Sequence, residues 1–369
     1  MKKVEVDVLV IALNKIEYDA RLSNFIDTFD KNGLRIATVT LDDYEFVKSK
    51  ENRFRVEVRE NIKTIAKVVD FLTAGKNFLE FVVPKYVLCS DVYSLPLGVK
   101  FKKKYNAKLI YDSREIYSAL ASLNEKPFKQ FVLKYFERIN VKNVDAIIVT
   151  GDLDKEYLSK LFPKKRIEVV YNYPKKIDTL KPVDLRKKFG LSEKNILAIY
   201  QGVLLKGRGI ELCVSSLKYA EELHLIIAGS GSMEKEYQDL AKNLALDERV
   251  HFLGQIPYEK LLQYTSGCDV GLCLIEPISF SYKLALPNKL FEYVQAGIPV
   301  LATNLPAISR VFKSFRIGEL VEPNVTPKDL SEAIVSVASN KEQYRMELEK
   351  CSELFVWEQQ EKIIMDLVK

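Results

Sequence analysis

The chain has 369 residues, 47% of them hydrophobic, and a formal net charge of +6. That length exceeds the size at which one core keeps growing, so two domains are expected, and no apolar run reaches the roughly 18 residues of a membrane span. Five cysteines without a C-x-x-C pair, and only His224 and His251 as histidines, argue against a zinc cluster and for reduced thiols. The amino terminus runs straight into a strand containing Glu5 and Asp7 and shows no signal-peptide pattern, so a cytoplasmic protein is expected. Residues 1–180 carry 33 Lys+Arg against 25 Asp+Glu, and the remainder carries 23 against 25. The basic half is therefore expected to meet an anionic surface or substrate.

In chain order, Val6 to Leu13 is an apolar run suited to a buried parallel strand, and a periodic helix follows from Leu22 to Asn32. The loop between them, Asn14 to Arg21, has no glycine, so it is no phosphate cradle. Asp19 and Arg21 stand at its end as candidate acceptor contacts or as an exposed helix-start pair. Further strands are predicted at Ile36–Thr40, Val87–Cys89, Leu109–Tyr111 and Ala146–Val149. Such β-α alternation argues for a doubly wound parallel sheet with ligands at the carboxyl ends of the strands. Asp112, Arg114 and Glu115 follow the third of these strands. Arg114 suits an anionic acceptor or a sugar carboxylate, or else pairs with Asp112 or Glu115. Asp152-Leu153-Asp154 spells D-x-D, but its place after a strand and before a helix favours helix-start acids over a metal site.

Around residues 126–142 a helix carries Phe128, Phe131, Val132, Tyr135, Phe136 and Ile139 on one face, flanked by Lys126, Lys129, Lys134 and Arg138. Such a helix can lie in a membrane interface or pack its apolar side on a sheet. No basic–aromatic nucleic-acid motif accompanies the charge.

Past a polar, Pro-containing link near Asn172–Lys188, a second domain opens with the strand Asn195–Tyr200 and the loop Gly202 to Gly209. Its spacing, G-x-x-x-x-G-x-G, allows close approach of a ligand, with Lys206 and Arg208 as cations. Leu223–Ala228 leads to Gly229-Ser230-Gly231, Val250–Pro257 presents Gln255 and Ile256, and Asp269–Ile275 delivers Glu276. Pro287-Asn288-Lys289-Leu290 then begins a short helix bearing Glu292, ended by Gly297-Ile298-Pro299 before the strand Val300–Ala302. The amides of 288–290 at this helix start form an anion site, and Glu292 lies one turn on.

The run Lys289, Glu292, Gly297, Pro299, Val300, in the spacing K-x-x-E-x-x-x-x-G-x-P-V, resembles the family 4 retaining glycosyltransferases of the GT-B fold, also described as glycosyl transferases group 1. The resemblance covers nearly the whole chain, more weakly in the first half. It implies two facing Rossmann-like domains with a cleft between them. The expected division is 1–174 for the acceptor, 175–356 for the donor, and 357–369 as a helix crossing back. It implies a nucleoside-diphosphate sugar as co-substrate, no metal or other cofactor, and hexosyl transfer to a glycan or lipid-linked acceptor. The setting would be polysaccharide or glycolipid assembly, associated with the inner face of the membrane.

Arg208, Lys289, Glu292 and Glu276 are the implied catalytic residues. Gly202, Lys206, Gly209, Gly229, Gly231, Gln255, Ile256, Asn288 and Leu290 would hold the donor. Asp19, which with Arg21 matches the family's D-x-R, would meet the acceptor together with Asp112, Arg114 and Glu115.

Three positions depart from the family pattern. Val203 replaces a cation, Leu284 replaces the first acid of E-x7-E, and Arg114 replaces a histidine. Either Glu276, from a longer loop, or backbone amides of 279–287 would then hold the sugar. A nucleotide-sugar epimerase and a non-catalytic binding module on the same fold are the rival readings. A dinucleotide oxidoreductase would need G-x-G-x-x-G after the first strand, which is absent.

Overall fold

The computed structural model describes residues 3–16, 19–41, 53–56, 58–59, 64–177 and 179–369. Met1, Lys2, Glu17, Tyr18 and Asp178 lie outside the described residues. The chain divides into two units, Met1–Tyr171 with Gln360–Lys369, and Asn172–Gln359.

In the first unit seven strands form one parallel sheet: β1 (Val4–Ile11), β2 (Ile36–Thr40), β3 (Arg53–Arg55), β4 (Val82–Cys89), β5 (Lys108–Ser113), β6 (Ala146–Val149) and β7 (Arg166–Val169). Their order is β3-β2-β1-β4-β5-β6-β7. The apolar run Val8–Ile11 of β1 follows from this place, since a strand with helices on both faces has no wet side. Val8 lies opposite Ile36 on one side and Tyr86 on the other, and Val8, Leu9, Val10 and Ile11 are fully buried. Helix Ala20–Lys31 returns the chain from β1 to β2; the Asp19 carboxylate caps it by accepting from the Leu22 N–H at 2.9 Å.

The second unit repeats the winding with six strands: β8 (Ile196–Gln201), β9 (Leu223–Ala228), β10 (Val250–Gly254), β11 (Val270–Cys273), β12 (Val300–Thr303) and β13 (Gly318–Val321), in the order β10-β9-β8-β11-β12-β13. Ile199 sits between Ile226 and Gly271. Gly271 is required there, because a Cβ would lie 2.3 Å from the Tyr293 ring. Each sheet reverses direction at one point, between β1 and β4 and between β8 and β11. Ligand crevices of doubly wound sheets open at such points, beyond the carboxyl ends of the strands.

Three edge strands, β3, β7 and β13, escaped the sequence reading. They are short and read R-F-R, R-I-E-V and G-E-L-V, so only pairing with a neighbour makes them strands. The division of the chain falls at 171/172 and 359/360 rather than at 174/175 and 356/357. Aromatic packing explains the shift. Tyr173 lies 4.6 Å from Phe291 and 5.4 Å from Phe355, and the Trp357 N–H donates to the Pro174 carbonyl at 2.8 Å. Tyr173 therefore packs against the second core.

β5 extends through Asp112 and Ser113, so Asp112 lies inside the strand and fully buried, not in a loop after it. Asp152 and Asp154 sit in the first turn of helix Asp152–Leu161, where their carboxylates accept from the Tyr171 and Thr150 hydroxyls.

Candidate functional site

The carboxyl ends of β8 and β11 gather most of the candidate donor residues. β8 ends in Gln201, and Gly202 follows at φ +120°, a conformation open to glycine. A Cβ there would meet the Lys289 side chain at 3.8 Å, ordinary van der Waals contact, so Gly202 faces the lysine directly. Lys289 is in the first turn of helix Asn288–Gln295, which follows Pro287 and has no side-chain cap. Its ammonium lies 3.5 Å from the centre of the Tyr200 ring. Three residues on, Glu292 is buried on the same helix and accepts from Gln201 Nε2 at 2.5 Å; Gln201 Oε1 in turn accepts from the Thr265 hydroxyl at 2.7 Å. Gln201 thus ties the end of the central strand to the helix.

Charge in this group is poised. Burial, with repulsion from Arg208 adding to it, pushes the Lys289 ammonium down to about 7. Burial likewise pushes the Glu292 carboxyl up, opposed by the Gln201 hydrogen bond, Lys289 and the Tyr258 hydroxyl. Arg208 stacks over the Tyr282 ring at 4.7 Å. Two cations near enough to repel each other, one of them desolvated, make a place whose natural occupant is an anion.

Glu276 lies beside the glycine loop rather than apart from it. Its Oε1 accepts from the Gly209 N–H at 3.3 Å, and its own N–H donates to the Gly207 carbonyl at 3.1 Å. It therefore serves the start of helix Ile210–Ser216. Leu284 closes the short helix Phe280–Leu284, whose start Ser279 caps.

The remaining donor candidates divide. Gly209, Gly229 and Gly231 are small because backbone passes next to them. A Cβ on Gly209 would lie 2.7 Å from the Leu274 carbonyl oxygen, and one on Gly231 2.3 Å from that of Leu204. Lys206 and Gln255 are exposed, Ile256 is half-buried, and Asn288 is exposed at the helix start. Leu290 is in the core, and its N–H already donates to the Pro287 carbonyl at 3.2 Å. His251 stacks on Phe189 at 4.0 Å and faces His224 at 3.2 Å; burial first, and then His224, hold it down at about 4.

In the first unit the acceptor candidates Asp19, Arg21, Asp112 and Arg114 meet in one ion cluster at the sheet's carboxyl edge. Arg21 grips Asp112 through Nε at 3.0 Å and Nη2 at 2.7 Å, and its Nη1 donates to the Val170 carbonyl at 2.7 Å. Arg114 bonds Asp112 at 3.1 Å and also reaches Asp19 and the Ser90 hydroxyl. Burial alone would lower its basicity, yet Asp112 and Asp19 raise it. The arginine is thus paired with Asp112, one of the two partners the sequence offers, and Glu115 is exposed.

Asp91, at the end of β4, was missed from sequence. It accepts from the Leu13 N–H at 2.9 Å and the Ser94 N–H at 2.7 Å, and burial raises its carboxyl. Gln201, Tyr258 and Tyr282 were missed too. Gln201 alone left a trace, as the polar residue that ends an apolar strand just before a glycine.

The family described as Glycosyl transferases group 1 matches residues 183–352. The O-antigen biosynthesis glycosyltransferase WclY of Escherichia coli is 27% identical over 168 residues, 45% of this chain and 45% of that protein. The chain thus spans about half the length of such relatives. The sucrose-phosphate synthase of Thermosynechococcus elongatus superposes with a TM-score of 0.80 at 17% identity, covering 98% of both chains. HepE of Anabaena, in complex with UDP, gives 0.71 at 16% identity over 99% of both. At these identities the structures share the fold.

Proposed function

Because the chain is a GT-B protein of the group 1 glycosyltransferase kind, we propose that it moves a sugar, with retention, from a nucleoside-diphosphate sugar to a glycan or lipid-linked acceptor. The observation that carries this reading is the buried Lys289, facing Gly202 and repelled by Arg208 in the free protein. A diphosphate between the two cations would relieve both the repulsion and the lost hydration. The amides of Asn288 and Lys289 at the helix start would add donors, and Glu292, held by Gln201, would accept from ribose or sugar hydroxyls. The complex of HepE with UDP supports a uridine diphosphate as the first ligand to try.

In the transfer, the bond between the anomeric carbon and the diphosphate oxygen breaks while negative charge grows on the leaving group. Cations already in place for that charge, and for no other, stabilise the transition state by several kcal/mol. Lys289 and Arg208 supply that charge, and the scheme calls on no divalent metal. The acceptor oxygen bonds to the same face of the carbon, and its proton passes to the departing diphosphate. Glu276 supports the loop that carries Arg208. Asp19, Arg21, Asp112 and Arg114 form a neutral cluster of fixed polarity suited to orienting acceptor hydroxyls. A hexosyl donor, cytoplasmic placement and a role in cell-surface polysaccharide or glycolipid assembly complete the proposal; WclY, named for O-antigen biosynthesis, supports the last.

Thermal unfolding against a panel of nucleoside diphosphates tests the donor site. At a hundred times its dissociation constant the right one adds about 2.7 kcal/mol of stability. Glu292→Ala is expected to remove that shift. No shift with any diphosphate would sink the reading and bring the non-catalytic module forward, whereas donor consumption without an acceptor would favour an epimerase.

A second outcome concerns protons. With Lys289 titrating at about 7, most of it is neutral at pH 8 in the free protein. A bound diphosphate favours the charged form, so binding at pH 8 should take up most of a proton. Affinity should then fall by up to about tenfold per pH unit above 7. Calorimetry in two buffers of different ionisation enthalpy reads the uptake, and Lys289→Arg should abolish it, since arginine stays charged. Diphosphate binding without proton uptake would place the ligand away from Lys289.

A further inference from the structure

Helix Pro127–Val141 leaves an apolar face in solvent. At about 100° per residue, Phe128, Phe131, Val132, Tyr135 and Ile139 occupy a stripe roughly 100° wide. All five are exposed, Phe128 at 78% and Phe131 at 66%, and the rings of Phe131 and Tyr135 stack at 6.4 Å. The opposite side holds the helix to its domain. Glu137 is buried there and accepts from the Tyr111 hydroxyl at 2.8 Å; Val141 is buried, and Leu133 and Phe136 are half-buried against the same core. The helix therefore does not pack its apolar face on the sheet, the commoner arrangement weighed from sequence. Of the six apolar residues expected on one face only Phe136 turns to the docking side, beside Leu133, Glu137 and Val141, and the other five stay outward.

The charge around the stripe is of one sign. From Lys126 to Lys142 the segment carries five cations, and its single acid, Glu137, faces inward. Lys134 and Arg138 flank the stripe on one side and Lys129 on the other, all of them exposed.

We propose that this helix lies in the headgroup region of an anionic lipid bilayer, its aromatic stripe inserted and its lysines and arginine among the lipid phosphates. Apolar insertion and attraction by flanking cations together produce reversible surface binding, and neither suffices alone. A second copy of the chain fits poorly, because a symmetric contact would set five cations against five. A nucleic-acid backbone has no use for Phe128, Val132 and Ile139 at the centre of the contact. The setting rests on the lipid-linked acceptor proposed for this chain, while the surface itself stands on exposure and charge.

Sedimentation of the full chain with vesicles tests the proposal, using phosphatidylcholine with and without phosphatidylglycerol. Binding is expected only with the anionic lipid, weakening as salt is raised. Each cation at the surface is worth about fivefold, so Lys129→Gln, Lys134→Gln and Arg138→Gln combined should lose on the order of a hundredfold. Phe131→Ser with Tyr135→Ser should lose about tenfold or more. These side chains are exposed, so the diphosphate-induced thermal shift should survive in both variants and report an intact fold. Lys289→Met should keep wild-type vesicle binding, which separates failure of the donor reading from failure of this one. Absence of binding to anionic vesicles, or equal binding by the variants, overturns the proposal. So does a dimer in sedimentation velocity that the same serine substitutions dissolve, without vesicle binding.

Discussion

Lys289→Met is expected to give a protein at least as stable as its parent that has lost nucleoside-diphosphate binding and transfer. Both halves follow from one feature. The ammonium is buried beside Arg208, and burial, the larger cause, holds it down at about 7. A lysine whose folded value lies below its unfolded one binds fewer protons when native. Stability therefore rises with pH between about 7 and 10.5, and below that window the cost of the buried charge is fully present. Methionine fills similar volume without the charge, at the loss of the contact over Tyr200 and of the attraction to Glu292, whose carboxyl burial already pushes toward its neutral form. The midpoint near neutral pH should stay level or rise, and the slope of stability with pH between 7 and 10.5 should flatten. The same substitution removes half of the positive pair facing the leaving diphosphate. Turnover should fall by about two to three orders of magnitude, as for other preorganised donors at developing charge. Steady-state kinetics and unfolding at several pH values measure the two halves. A marked loss of stability at pH 7 would show that the lysine serves the fold and not the anion.

The second large effect concerns glycines that look alike in sequence and differ in space. Gly229→Ala would set its Cβ 2.0 Å from the Gly202 carbonyl oxygen, at φ +151°. The two loops at the ends of β8 and β9 have no slack, since the Gly202 N–H donates to the Ala228 carbonyl at 2.9 Å and the Gly229 N–H to that of Gly254 at 2.8 Å. Backbone strain and overpacking together should cost about 4 kcal/mol, lowering the melting midpoint by on the order of 10 °C. Gly202→Ala meets nothing closer than 3.8 Å and carries only the strain of its positive φ, about 1–3 kcal/mol. Its methyl group would instead occupy the space before Lys289. The pair should separate cleanly in a thermal melt with and without diphosphate: Gly229→Ala melts early yet still responds to ligand, whereas Gly202→Ala melts nearer to wild type and responds little. Equal melting of the two variants would contradict the close approach of the loops.

Local patterns carried much of this. The apolar runs of β1, β8 and β9, the glycine spacing 202–209, and the helix carrying Lys289 and Glu292 all depend on neighbours a few residues away. A sequence displays those neighbours directly, and parallel strands alternating with helices followed from them. The three edge strands were not legible, because their three or four residues mix charged with apolar side chains and gain strand geometry only from a paired neighbour.

The chemistry of the sites depended on contacts no local pattern records. Gln201 meets Glu292, and Arg21 meets Asp112, each across 91 residues of chain. Whether Arg114 would be a free cation or a paired one turned on Asp19 and Asp112 arriving from two different strand ends. On the helix 127–141, composition laid out an aromatic stripe and a ring of cations, but could not say which side the domain would cover. That was decided by Glu137 reaching the Tyr111 hydroxyl and by Leu133, Phe136 and Val141 finding room in the core. Sequence alone determined the periodicities, and hence the elements and the winding of the two sheets, because these are short-range properties of the chain. Only the tertiary structure decided which polar groups are desolvated, which charges neutralise one another and which apolar face stays wet, because burial and Coulomb energy depend on distance in space and not along the sequence.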